Sequence, residues 1–421
     1  MTQTSSALWC FVASFGAIMM LLGTLLAWLR ARRVERDQLC DADLAITVMK
    51  PLSGKAPRLE ENLESFARLQ APPSFEVLLC LGRETDDAYP VARQFVRRYP
   101  ERFRLTVGIA PGFGNAKIAQ LLSAFPQVEN QLIWVSESNF ETSQPFLEAL
   151  ARTWKRANAK GRVKTLVHAP LVGVGGEGVG AALERMHLSS LQNPNHELAR
   201  LVGLHAVVGK TEFFHREDLL ALGGFEAFGN YLGEDFLMAT AFGRMGVVRC
   251  ISVPTRNVLG PMTLRAWFDR HARWAVMRKT MVGPAFYFLE PLIHLGFPTA
   301  LFGCGLIPGW WLAVLWLTRV FIDGANFALQ ARALPKWTDL MLVPLKEAGL
   351  LVAWVNAVFS VHVKWRADRA IELGPRSRVV STNANPSALS RQYASLRRVL
   401  GKGEPSPPGR RSVASAASAG R

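Results

Sequence analysis

The sequence predicts an α/β domain, built on a largely parallel sheet and inserted between transmembrane helices. Three observations carry this. The 421 residues are 49% hydrophobic and only 19% charged, against about a quarter charged in soluble domains. Two apolar regions, Leu8 to Leu29 and residues 283–361, flank the rest of the chain. Between them, from Ala45 to Pro261, short β-rich runs alternate with amphipathic stretches, the pattern of βαβ units.

The charge balance agrees. Forty-nine Lys and Arg against 33 Asp and Glu leave +16, but the basic residues flank apolar runs and fill the tail. A nucleic-acid binder would gather them on one soluble face with stacking aromatics, so no nucleic-acid partner is expected. Five isolated cysteines, Cys10, Cys40, Cys80, Cys250 and Cys304, lack the close spacing of a zinc site or disulfide framework and read as buried reduced thiols.

Residues 8–29 form an uncharged run of 22 residues, enough at 1.5 Å per residue to cross a hydrocarbon core of about 30 Å. Arg30, Arg32, Arg33 and Arg36 follow at once. The positive-inside rule then places the next domain in the cytosol, at the inner membrane if the cell is bacterial.

Residues 45–282 follow as the cytosolic domain. Strands are expected at AITVMK, EVLLCLG, RLTVGIA, QLIWVSE, KTLVHAP and VVRCISVP, with helices at 59–69 and 89–99. A ligand crevice belongs beyond the carboxyl ends of such strands. The stretch Arg265 to Trp274 is basic and aromatic at helical spacing, which alone reads as an interfacial helix with Trp267, Phe268 and Trp274 at headgroup level. Residues 283–361 are expected to hold spans near Leu306–Phe321 and Leu342–Val361, with Phe286–Phe302 as an interfacial, re-entrant or third spanning segment. Residues 374–421 carry nine basic residues against Glu404 and read as a disordered basic tail able to lie on anionic headgroups.

Gly173-Val-Gly175-Gly-Glu-Gly178 satisfies GxGxxG but lies too deep in the domain for a dinucleotide fingerprint, which sits in the first βα turn. It reads instead as a flexible glycine loop beside the crevice. Carboxylates at strand ends are more informative: Glu84, Asp86 and Asp87 after EVLLCLG, Glu137 after QLIWVS, and Glu234-Asp235 in GEDFLMA. Transfer from a nucleotide diphosphate needs one carboxylate near the base or ribose, one for a divalent metal on the pyrophosphate, and one to deprotonate the acceptor hydroxyl.

Taken in order, MKPLSG, EVLLCLG…DD, WVSES, GEDFLMA and RHARW, followed by KEAGLLVAWV…WR, resemble the ceramide glucosyltransferase family and its bacterial relatives, from about Met49 to Arg369. The resemblance implies an inverting glycosyltransferase of GT-A (Rossmann-like) fold that uses a UDP-sugar donor and a lipid acceptor at the membrane. It implies Asp87 near the nucleotide and Asn115, Lys117 and Arg270 toward the donor. It places Glu137 at the divalent metal (Mg²⁺ or Mn²⁺), Asp235 as general base beside Glu234, and Arg273 and Trp274 at the leaving group and acceptor. Two positions depart from the family: Glu137 replaces an aspartate, with Asn139 rather than a carboxylate two residues on, and a histidine before LVGLHAVVG is unmatched, Gln192, Asn193 and His196 being nearest. The leading expectation is glucose transfer to a hydroxyl such as that of ceramide. The alternatives are N-acetylglucosamine-type transfer to a hopanoid, or a catalytically inactive membrane protein of this fold.

Overall fold

The computed structural model describes residues 3–35, 44–365 and 369–381. Its strands are β1 (Ile46–Leu52), β2 (Glu76–Leu81), β3 (Phe103–Val107), β4 (Leu132–Ser136), β5 (Phe140–Glu141), β6 (Thr165–His168), β7 (Leu171–Gly175), β8 (Thr211–His215), β9 (Val247–Cys250), β10 (Thr255–Leu259), β11 (His362–Trp365), β12 (Arg369–Leu373) and β13 (Val379–Ser381). Among the described residues, a seven-stranded sheet runs β3-β2-β1-β4-β8-β6-β9. Every neighbouring pair is parallel except those of β8, which is antiparallel to both β4 and β6. The α/β class and the parallel-rich sheet are therefore as the alternation predicts, and β8 is an addition to it.

Central strands buried on both faces read as continuous apolar runs. In β4 the faces separate with period two: Trp134 packs with Phe66, Phe140 and Phe146 on one side, Ile133 and Val135 with Ile118 and Phe214 on the other. Lys50 is the polar exception in β1. It is fully buried, and its ammonium donates to Ser136 Oγ at 3.2 Å and the Glu137 carbonyl at 2.7 Å. Buried, it crosses from one strand end to the next and fixes the exit of β4.

A second sheet, β5-β10-β7, and a third, β11-β12-β13, complete the described strands. The third includes residues expected in the disordered tail. Residues 374–381 are ordered instead: the Ser377 carbonyl accepts from Leu232 N at 3.0 Å and Val379 N donates to the Asn230 carbonyl at 2.8 Å. Residues 382–421 lie outside the described residues.

Among the described residues, two helical stretches are long and apolar enough to cross a membrane, Ser6–Arg32 and Gly309–Ala331. The segment 286–302 is a pair of helices, Pro284–Ile293 and Gly296–Gly303, bent by 73°. The segment 342–361 gives a helix of 16 residues, Val343–Val358, which buries Lys346 and Glu347. These charges meet the Gly309–Ala331 helix: Lys346 pairs with Asp323, and Arg319 with Glu347 at 2.8 Å. His294 adds a 3.1 Å contact to Glu347.

The Leu264–Val282 helix, capped by Thr263 Oγ1 accepting from Ala266 N, differs from its reading as a headgroup-level helix. Trp267 is fully buried among Met20, Leu183, Leu191, Ile322 and Leu350, and Trp274 is half-buried against Leu171, Leu188 and Leu259. Its rings find apolar surface inside the protein first. The cysteines also differ: Cys80 is buried, Cys10 and Cys250 partly so, Cys304 is exposed, and Cys40 lies outside the described residues.

Candidate active site

Four elements converge where β4 ends. Because β8 runs antiparallel to β4 with Ser136 opposite Thr211, the next residues outward, Glu137 and Lys210, face each other across the strand ends. Lys210 Nζ binds Glu137 Oε2 and donates to Asn139 Oδ1 at 2.9 Å. Lys117, from the first turn of helix Ala116–Ala124, sets its ammonium 3.0 Å from Glu234, 3.6 Å from Glu137 and 4.0 Å from Glu212.

Asp235 opens helix Glu234–Met245. Its Oδ2 accepts from Gly209 N at 2.8 Å and its Oδ1 from Phe236 N at 2.8 Å. Gly209 must be small, since a Cβ there would stand 2.8 Å from Lys117 Nζ and 3.2 Å from Asp235 Cβ. Two backbone donors and Lys117 favour the carboxylate, yet burial, helped by Glu234, prevails and raises Asp235 to about 6. Burial likewise pushes Glu212 up to about 8. Glu137 goes the other way: against its burial, Lys210 and then Lys117 hold it at about 2. Neighbouring carboxyls are thus driven to different protonation states, the arrangement from which acid and base roles are drawn.

The expected residues are not all placed alike. Lys117, Glu137 and Asp235 lie in one cluster. Asn115 is its foundation: 2% exposed, it caps the helix by accepting from Lys117 N and Ile118 N, and donates to the Tyr231 carbonyl and Glu234 Oε2. Asp87 is exposed, while its neighbour Asp86 is tied inward, accepting from Gly54 N at 2.7 Å and Ala88 N at 3.0 Å. Arg270 is engaged by the fully buried Glu184 at 2.9 Å, alongside His271 at 2.8 Å. Arg273 reaches the Lys364 carbonyl at 3.4 Å, and burial, then Arg270, lowers it to about 10, so it remains charged at neutral pH. Trp274 and Val208, the residue before Gly209, pack on the same apolar cluster.

The glycine loop is contacted by a side chain. Arg185 donates to the Gly175 and Gly176 carbonyls at 2.8 and 3.0 Å while paired with Asp339, and Gly175, Gly176 and Gly178 all hold positive φ. Those φ values are the reason for the glycines.

Glu137 does not fit a divalent metal. Ammonium groups already oppose its two oxygens, Asn139 presents an amide oxygen to the same Lys210, and no group of three or more His, Cys, Asp or Glu suited to a metal occurs among the described residues. Sequence reasoning missed Lys210 and Glu212, whose placement depends on the pairing of β4 with β8.

Ceramide glucosyltransferase 1 of Caenorhabditis elegans is 27% identical over 250 residues, 59% of this chain and 52% of that protein. Ceramide glucosyltransferase of Komagataella phaffii is 26% identical over 300 residues, 58% of each chain. The matches thus span little more than half the length of these curated relatives. Among solved structures, the mannosyltransferase PcManGT from Pyrobaculum calidifontis, in complex with GDP-Man and Mn²⁺, is 16% identical, with TM-score 0.43 over 83% of this chain and 99% of that one. Residues 9–377 match Glycosyl transferase family 21, and with nearly the whole described chain inside that match, the protein belongs to this family.

Proposed function

We propose that this protein is a membrane-bound glycosyltransferase that moves a sugar, glucose in the first instance, from a UDP-sugar to a hydroxyl of a lipid such as ceramide, with inversion. The observation that carries the reading is Asp235: a half-buried carboxyl, oriented by Gly209 N and Phe236 N beside the carboxyl end of β4 and poised at about 6. A general base is most effective when its pKa lies near the working pH.

In this reading Asp235 takes the proton of the acceptor hydroxyl as that oxygen bonds to the anomeric carbon. The bond from that carbon to the diphosphate oxygen breaks on the opposite face, and its electron pair leaves with UDP. One displacement inverts the centre, so one base suffices. Lys117 and Lys210 supply positive charge beside Glu137, Arg273 offsets charge on the departing diphosphate, and Trp274 borders the acceptor. Asn115 positions Lys117 and Glu234. Asp87, exposed after β2, is assigned to the nucleotide, and Arg270 acts through Glu184 and His271 rather than on the donor directly. The arginines that follow the uncharged run 8–29 orient this domain toward the cytosol, where a soluble donor meets an acceptor whose tails stay in the bilayer.

The test is a screen of UDP-sugars against ceramide, hopanoid and other lipid acceptors with the purified full chain, read by mass spectrometry of the lipid. A hexosylated ceramide is expected. An N-acetylhexosamine on another lipid would revise donor and acceptor, and no glycolipid from any pair would refute the enzyme reading.

A further inference from the structure

A cavity of about 540 Å³ lies at the carboxyl ends of β6 and β9, against the carboxyl end of the N-terminal apolar helix. Its lining holds five arginines and one carboxylate, Glu197. Glu197 is shared, accepting from Arg30 at 2.5 Å and Arg200 at 3.0 Å, so it offsets one positive charge and leaves the lining strongly cationic. Among the lining donors buried without a partner are Arg152 Nε and the Nδ2 of Asn193, a residue only 4% exposed. A buried donor left unmade costs about 1–3 kcal/mol, and an anion that accepts from both removes that cost.

One wall identifies the anion's source. Leu26 and Leu29 line the cavity from the apolar helix, and Arg30, the first charge after its uncharged run, lines it next. The cavity thus spans the level at which hydrocarbon gives way to headgroups, with aliphatic side chains on one side and guanidinium groups on the other. Guanidinium is matched to phosphate oxygens in charge and geometry. Burial, with His196 and then Arg30 adding to it, holds lining His168 at about 3, and burial holds lining His196 at about 4, so the cations here are the arginines.

We infer that this cavity is a binding site for the phosphate headgroup of an anionic lipid, separate from the Glu137–Asp235 cluster. The lipid's tails lie along Leu26 and Leu29, and its phosphate accepts from Arg152, Asn193 and the exposed Arg249. The inference uses the membrane reading of the Ser6–Arg32 helix but not the identity of the transferred sugar.

The experiment uses the full chain in neutral detergent, with phosphatidylglycerol binding measured by native mass spectrometry. Dioleoylglycerol, sodium phosphate and UDP serve as comparators. Phosphatidylglycerol should bind and the uncharged diacylglycerol should not. Arg152→Gln and Arg249→Gln should each weaken binding about tenfold at unchanged thermal midpoint, one charge-assisted contact being lost. Arg97→Gln, on the distant Tyr89–Arg98 helix, should leave binding unchanged. Because Arg249 is exposed, its variant reports on binding even if Arg152→Gln fails to fold. Equal affinity in Arg249→Gln and the parent chain would overturn the site. Displacement of the lipid by an equal concentration of sodium phosphate would overturn the lipid assignment in favour of free phosphate. Displacement by UDP would overturn it by returning the cavity to the sugar donor.

Discussion

Among the apolar helices, Arg319, Asp323, Lys346 and Glu347 are each at most 3% exposed and close on one another. In the crevice, Glu137 and Lys210 keep 30% and 20% of their side-chain surface open, while Asp235 is held by backbone N–H groups. Both regions bring charge out of water. The first network joins two helices and the His294 segment beside them. The second leaves groups of both signs at an opening, with carboxyls held near 2, 6 and 8. Buried ion pairs add little stability over apolar packing, but losing one partner is costly. The same physics thus serves structure in one region and prepares chemistry in the other.

The comparison can be broken most sharply in the helices. Glu347→Ala leaves Arg319 and Lys346 to share the single carboxylate of Asp323 in apolar surroundings and is expected to cost about 3–5 kcal/mol, read as denaturant unfolding of the detergent-solubilised chain; a loss below about 1 kcal/mol would mean that the network is not structural. In the crevice the effects fall on rate. Turnover is expected to drop about tenfold per pH unit below about 6 as Asp235 takes up a proton. Since Glu234 helps raise Asp235, Glu234→Gln should move that acid limb to lower pH, and an unmoved limb would assign it to another group. Lys210→Met, which removes the larger of the two cations holding Glu137 down, should weaken UDP-sugar binding about tenfold, measured by calorimetry. The smallest effect is a null one. Because Glu137 is engaged by ammonium groups, Glu137→Gln should leave the dependence of turnover on added Mn²⁺ unchanged, and a shifted titration would return the metal to this carboxylate.

Legibility in the sequence followed the range of the contacts. The strands β1 to β4, β6 and β9 were readable because each is a short apolar run whose burial is local in pattern. β8 was not: TEFFH is brief, and its place between β4 and β6, in the opposite direction, is a long-range choice. Missing β8 hid Lys210, which faces Glu137 only through the Ser136–Thr211 register. The same blindness made Arg270 look available when Glu184, 86 residues away, holds it. The aromatic helix around Trp274 has the composition of an interfacial helix, and only its packing shows Trp267 to be enclosed. The ordered residues 374–381 were concealed by their arginines, because strand pairing with β12 does not depend on apolar periodicity. Asp235 was legible as a carboxylate after a glycine-bounded turn, but its backbone partners and its displacement toward neutral pH were not.

The central claim is that Asp235 is the base for transfer to a lipid hydroxyl. Its most direct test compares Asp235→Asn with the parent chain, measuring glycolipid formation and UDP affinity on the same preparations. The account predicts turnover lower by at least about 100-fold with UDP affinity preserved; an Asp235→Asn chain that keeps most of its turnover would contradict it.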